Sequence, residues 1–403
     1  MGLIYCHECG KTIDTDYNAE HFIPHCEERE EEENGYYHNG LLTMFKGKIK
    51  GNKPLVVEAF CGCGGTSLGF EMAGYEIALG IDIHAPSIET FKKNHPESFA
   101  ILGDIKKVNP KEIKKIIGDR KIDVLIGGVP CQGFSLNNRK RHENDDRNFL
   151  YLEFLKLIKT LKPRSVVLEN VSGLKSTANG KFVDAITKGI EECGDYKVTH
   201  KLLYAPNYGV PQKRERLVFV GLSSEFNQEF DFSMITKTHG PETKKPYTTI
   251  KEAIGDLPSL KPNEQKYEYK MKPFSDYQKL MRKNGPKKIL NHKAPNHPKE
   301  TITKIANTTP GTPMYPKFKQ RIRLAWDILS PTQVSGGIRP QFQFGHPADS
   351  RGLSIRERCR IQSFPDNFKI EGGTVQGRVQ TGNAVPPLLA KAVAKALLTY
   401  LTK

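Results

Sequence analysis

Between Leu55 and Leu222, short apolar runs alternate with segments of helical period, and most runs end on glycine or an acidic residue. LVVEAF opens the series and breaks into CGCGG. Tyr75–Ile83 carries Asp82 near its end, and Phe99–Gly103 is followed by Asp104. IDVLIGG opens into a glycine loop, Ser165–Leu168 is followed by Glu169, and Leu217–Leu222 completes the series. Thr66–Ala73, Ala85–Asn94, Asn148–Leu161 and Lys181–Glu192 read as the intervening helices. Apolar runs this short fit strands buried on both faces of a sheet. The alternation therefore predicts a doubly wound α/β domain with a mostly parallel sheet. Open sheets of this kind place their sites beyond the carboxyl ends of the strands, where these polar residues fall.

The flanks differ in texture. Residues 1–33 read as an appendage and 34–53 as a linker. The main domain covers 54–224, a small irregular domain 225–370, and a last helix within 371–403 returns to the main domain. Charge separates the same regions. The chain carries 61 Lys and Arg against 45 Asp and Glu, a formal +16. Residues 1–50 hold five basic and ten acidic side chains, and Glu27–Glu33 is six Glu with one Arg. From Lys237 to Arg323, twenty basic side chains face seven acidic ones, a local +13. Such an excess favours a polyanion, above all nucleic acid. No stretch of about 18 apolar residues marks a membrane span, and the start has no signal-peptide pattern. Eight irregularly spaced cysteines suit reduced thiols rather than a disulfide scaffold. The expectation is a cytoplasmic protein with no membrane partner.

Two turns carry chemistry. In FCGCGGTSLGF (Phe60–Phe70), glycines let the backbone approach a ligand. Asp82 is placed to accept from ribose hydroxyls and Asp104 from a base amine. The spacing misses the dinucleotide fingerprint, and the turn lacks a phosphate-binding lysine, so a nucleoside cofactor without phosphates fits better. A tight structural turn is the alternative. In IGGVPCQGFS (Ile126–Ser135), Cys131 follows a buried strand on a rigid loop, with Arg139, Lys140 and Arg141 nearby. It is either a thiolate nucleophile or an inert thiol.

The ordered set of motifs resembles the cytosine-C5 DNA methyltransferase family. It comprises FCGCGG, VPCQGFS, RNFLYLEFL (Arg147–Leu155), ENV (Glu169–Val171), QKRER (Gln212–Arg216), RGLSIRERCRIQSFPD (Arg351–Asp366) and GNAVPPLLAKAVA (Gly382–Ala394). The resemblance implies the S-adenosylmethionine-dependent methyltransferase fold, double-stranded DNA as substrate and S-adenosylmethionine as methyl donor. It implies that Cys131 attacks C6 of a flipped cytosine, that Glu169 contacts N3 and the exocyclic amine, and that Arg216 contacts O2. Arg214 would anchor loop or substrate beside it, and Asn170 would fix the Cys131 loop from behind. The implied cofactor residues are Phe60, Gly62, Gly65, Asp82, Ile83, Asp104, Ile105, Pro130, Leu150, Asn383 and Val385. Glu58 and Val129 depart from the family pattern without removing a group the chemistry needs. The resemblance also implies a monomer, and a restriction–modification context in which a cognate endonuclease reads the same site without a stable complex. A tRNA cytosine-5 methyltransferase and a catalytically silent DNA-binding regulator are the alternatives.

Residues 225–350 occupy the place of the target-recognition region. Phosphate contacts there would position the protein without reading sequence. Gln333, Arg339 and Gln341, in SPTQVSGGIRPQ, are the candidate base readers. Outside the resemblance, Cys6-x2-Cys9-x11-His21-x3-His25, with Cys26 as an alternative to His25, approaches a structural zinc spacing.

Overall fold

The computed structural model describes residues 42–129, 150–335 and 343–402, and three short N-terminal strands at 3–5, 12–14 and 36–38, the side chains of 176–179 aside. β1 (Leu3–Tyr5) and β2 (Thr12–Asp14) pair antiparallel. β3 (Tyr36–His38) and β4 (Thr43–Phe45) form a second antiparallel pair. The alternating series follows as β5 (Leu55–Ala59), α1 (Gly65–Glu71), β6 (Glu76–Asp82), α2 (Ala85–Asn94), β7 (Phe99–Leu102), α3 (Pro110–Ile117) and β8 (Val124–Gly127). Then come α4 (Leu150–Leu161), β9 (Ser165–Val171), α5 (Lys181–Glu191), β10 (Tyr196–Tyr204) and β11 (Glu215–Ser223).

Among the described residues, nine strands form one sheet in the order β10-β11-β9-β8-β5-β6-β7-β4-β3. The central five, β9 to β7, run parallel. Antiparallel strands close each side, β11 and β10 on one and β4 and β3 on the other. Part of the stretch read as a linker thus continues the sheet. Its Thr43–Phe45 pairs with Ala100–Leu102.

Strand β5 explains the layering. All five of its residues are buried. Val56 packs with Phe70, Phe91 and Leu397, from α1, α2 and the C-terminal helix. Leu55, Val57 and Ala59 pack on the other face with Ile113, Phe154 and Ile186, from α3, α4 and α5. Alternate side chains of one strand feed two cores, as period-2 geometry requires. Each fully buried aliphatic side chain here contributes about 2 kcal/mol.

After β11 the backbone is irregular, broken by α6 (Ile250–Ile254), α7 (Asp276–Arg282), α8 (Lys299–Asn307) and α9 (Ile355–Ile361). Capping boxes start three of these: Thr249 with Glu252, Ser275 with Gln278, and Ser354 with Glu357. The C-terminal segment is two helices, not one: α10 (Thr374–Asn383) and α11 (Pro387–Leu401). Within Thr374–Leu401 an 18-residue window is apolar enough to cross a membrane by length and composition, but 61% of that window is buried in the protein. Val393, Ala394 and Leu397 of α11 join the core that contains Phe70 of α1.

Candidate active site

The order β8-β5-β6 makes β5 the strand from which the chain winds both ways. The carboxyl ends beside that switch point form the natural ligand crevice of such a sheet. After β5, Phe60 adopts φ 58°, an uncommon conformation for a residue with a side chain, and Gly62 follows at φ 52°. A Cβ on Gly62 would meet nothing within 4 Å, so the turn borders open space. Gly65, at the start of α1, faces the opposite situation. A Cβ there would lie 2.5 Å from the Val385 carbonyl oxygen, so glycine permits the C-terminal segment to close on the turn.

Asp82 ends β6. Its two carboxylate oxygens accept from the backbone N–H of Gly62 at 2.7 Å and of His84 at 2.8 Å, which fixes the carboxylate plane across the crevice. Burial pushes the Asp82 carboxyl above its ordinary range, and those two N–H donors oppose the shift. Ile83 beside it is 59% exposed, an apolar side chain held at the rim. The Asp82 carbonyl accepts from Gly103 at 3.0 Å, which brings in Asp104 after β7. Asp104 accepts from Lys106 N–H at 3.0 Å, and Ile105 is buried beneath. Asn383 is exposed and Val385 half-buried between α10 and α11, and Leu150 is half-buried at the start of α4. The crevice therefore offers a fixed carboxylate, an exposed aliphatic face and an open glycine turn. These suit the ribose, adenine and methionine parts of S-adenosylmethionine.

The second half of the site lies across β8, β9 and β11. Antiparallel register pairs Val218 of β11 with Glu169 of β9, and Arg216 with Val171. Arg216 and Val218 share a face, so Arg216 sits diagonally from Glu169. The Arg216 guanidinium and the Glu169 carboxylate make an ion pair, with side chains 10% and 14% exposed. Burial holds the Arg216 guanidinium below its ordinary range, and Glu169 works against the shift. Asn170, one residue on, projects to the other face, and its amide donates to the Val129 carbonyl at 3.4 Å, two residues before Cys131. Cys131 and Pro130 lie outside the described residues, as do Cys6, Cys9, His21, His25, Cys26, Arg339 and Gln341.

One predicted residue, Gln333, serves another end. Gln333 is fully buried. Its amide donates to the Arg358 carbonyl at 3.1 Å, and its backbone N–H donates to Gln212 Oε1 at 2.9 Å. A base reader needs an exposed amide, so Gln333 is a structural residue rather than a reader. Arg214 is 1% exposed, and its guanidinium is directed to carbonyl oxygens of Gln333 and Gly382. It ties these two segments together, the loop-anchoring role expected of it. Sequence reasoning also missed His84. Its ring bonds Ser87 Oγ at 2.8 Å and Gln376 Oε1 at 3.0 Å while its N–H holds Asp82. Its position two residues after Asp82 was the available signal. Glu58, the departure in the first motif, is 1% exposed and accepts from Ser67 N–H at 3.0 Å and from the Ser67 hydroxyl. Burial pushes its carboxyl up to about 7.

The model of the family described as C-5 cytosine-specific DNA methylase matches residues 55–399. Type II methyltransferase M1.HphI of Haemophilus parahaemolyticus is 34% identical over 354 residues, covering 85% of this chain and 86% of that protein. Type II methyltransferase M.DdeI of Desulfomicrobium norvegicum is 34% identical over 377 residues, covering 86% and 88%. Among solved structures, a protein assigned as a DNA modification methyltransferase encoded within an E. coli prophage superposes with a TM-score of 0.73. It is 25% identical, and the match covers 87% of this chain and 99% of that one. The Dnmt2 methyltransferase of S. pombe, at 16% identity and a TM-score of 0.56 over 87% and 98%, shares the fold.

Proposed function

Because the chain belongs to the C-5 cytosine-specific DNA methylase family, we propose that it methylates C5 of a cytosine within a short duplex DNA sequence. S-adenosylmethionine supplies the methyl group when bound. Asp82 would hold its ribose, Asp104 its adenine amine, and Ile83 and Phe60 the adenine faces. Gly62, Gly65, Asn383 and Val385 would border the methionine part.

The target carbon is closed off by base stacking, so the cytosine has to leave the helix. The Cys131 thiolate adds to C6, forming an S–C bond, while a proton goes to N3 beside the Glu169 carboxyl. The C5–C6 electron pair is then available at C5, which takes the methyl group. Loss of the C5 proton to water, return of the N3 proton to Glu169 and cleavage of the S–C bond restore the neutral aromatic ring and free Cys131 as a thiolate. Arg216 would bind the cytosine O2 and hold Glu169 in place. The observation that carries this reading is the Glu169–Arg216 pair at the converging ends of β9 and β11, next to the Asn170 bond at the root of the Cys131 loop.

A duplex carrying 5-fluorocytosine at the target tests it, because fluorine cannot leave as a proton does. With S-adenosylmethionine present, a protein–DNA band should survive denaturing electrophoresis and vanish in Cys131→Ala. Binding without a covalent band would favour a silent DNA-binding regulator. The Type II relatives support a restriction–modification role, with a cognate endonuclease reading the same site.

For the N-terminal unit we propose a structural zinc held by Cys6, Cys9, His21 and His25 or Cys26. Supporting it are the Cys-x2-Cys spacing and, on either side of it in the sequence, the antiparallel pairing of β1 with β2. Metal analysis of the purified chain should find one zinc, lost in Cys6→Ser with Cys9→Ser. A zinc-free wild-type chain, prepared with zinc supplied, would contradict it.

A further inference from the structure

Two buried arginines remain without a role in the chemistry. Arg214 and Arg358 are 1% and 4% exposed, and neither makes an ion pair among the described residues. Burial holds both guanidinium groups below their ordinary range, Arg358 down to about 9 with Arg378 adding repulsion. An unpaired buried charge is costly unless hydrogen bonds offset it. Here the bonds converge on two pieces of chain.

One piece is the root of the recognition region at 332–335 and Gln343. The other is the end of α10. Arg214 donates to the Gln333 carbonyl and to the Gly382 carbonyl, each at 2.9 Å. Arg358 donates through Nε to the Thr381 hydroxyl at 2.9 Å and through Nη2 to the Val334 carbonyl at 3.2 Å. Gln343 Oε1 accepts from Val334 N–H at 3.2 Å, and its amide donates to the Thr332 carbonyl at 2.9 Å. The two pieces are in backbone contact, since a Cβ on Gly382 would lie 2.3 Å from Ser335 N.

Helix α10 also reaches the cofactor crevice at both ends. Asn383 follows Gly382 directly. At the other end, Gln376 bonds the His84 ring, whose own N–H fixes Asp82. A shift of the recognition root therefore moves a rigid helix that borders the cofactor twice.

We propose that Arg358 and Arg214 are positioning residues that couple duplex binding by the recognition region to cofactor binding, through the clamp on Thr381 and Gly382. The inference rests on the methyltransferase reading above. Linkage makes the effect reciprocal: whatever factor DNA adds to cofactor affinity, cofactor adds to DNA affinity.

The test is the Kd of S-adenosylhomocysteine, measured by calorimetry alone and with saturating duplex bearing the mapped target site. In the wild type the duplex should tighten binding roughly tenfold. In Thr381→Val, which removes the acceptor of Arg358 Nε, that factor should fall below about twofold, and Thr381→Ser should restore it. Gln343→Ala, at a half-buried position, repeats the test without a core substitution and should also lose coupling. A wild type with no coupling, or Thr381→Val and Gln343→Ala with coupling intact, overturns the proposal. A wild-type chain that binds neither ligand overturns the methyltransferase reading itself, and this inference with it.

Discussion

The sheet domain and the stretch from Arg351 to Asp366 are held together by different physics. Around β5, β6 and β8 the interior is aliphatic and aromatic, and the backbone groups pair within the ladder. From Arg351 to Asp366 the interior is ionic. Arg351, Arg356 and Arg360 are fully buried. Arg351 binds Glu357 and Asp349, and Arg360 binds Asp366 and Asp256. Arg356 donates to the carbonyls of Leu290, Pro365 and Phe368. The contrast follows from backbone regularity. Strands satisfy their own carbonyls, whereas an irregular chain leaves carbonyls that need donors. A guanidinium brings five N–H donors in a fixed fork, so one buried arginine can tie several loops.

This contrast is open to attack at each end. The largest effect should come from Arg360→Met, which leaves Asp256 and Asp366 buried beside an apolar chain. Urea unfolding should show a loss of about 3–5 kcal/mol or an insoluble chain, and a loss below about 1 kcal/mol would mean the ion pairs are incidental. In the sheet, Leu79→Ala should lose about 3 kcal/mol by leaving a cavity. Hydrogen exchange should then quicken in β5, β6 and β8 while protection near Arg360 is kept.

Glu58 sharpens the comparison, because it is a carboxylate in the apolar half without an arginine. Its folded pKa is raised, so the folded state binds more protons than the unfolded state between about 4.5 and 7. Stability should fall as pH rises through that window, by about 3 kcal/mol in all. Glu58→Gln should flatten this profile. An unchanged profile would place the titration elsewhere. The smallest effect concerns Asp82. The proposed ribose contact would need its carboxylate, and the raised pKa means protonation begins at a higher pH than for an ordinary aspartate. Cofactor affinity should thus weaken as pH falls, starting above the usual carboxylate range. Asp82→Asn should lose roughly tenfold in affinity, with that pH dependence gone.

The two regions also differed in how far their sequence could be read. Runs such as LVVEAF and IDVLIGG announce buried strands because composition and burial coincide. Edge strands do not. Tyr196–Tyr204 interleaves Lys197, His200 and Lys201 with its apolar residues, as a half-solvated strand does, and is absent from the runs read above as strands. RERCR carries four charged side chains in five residues, yet every residue of it is buried. Its partners, such as Asp256 and Thr381, are distant in sequence, and no periodicity points to them. The same holds in the crevice. The position of Asp82 at a strand end was legible, but the link from His84 to Gln376 spans 292 residues. Gln333 was misread because a glutamine in a Gly-rich stretch looks exposed until its partners Gln212 and Arg358 are known.

The most direct measurement is methyl transfer from labelled S-adenosylmethionine to unmethylated duplex DNA, with tRNA in parallel and Cys131→Ala as control. Label in C5 of cytosine at one short DNA sequence, absent in the variant, is the predicted result. Label in tRNA alone, or label in DNA that persists in Cys131→Ala, would contradict it.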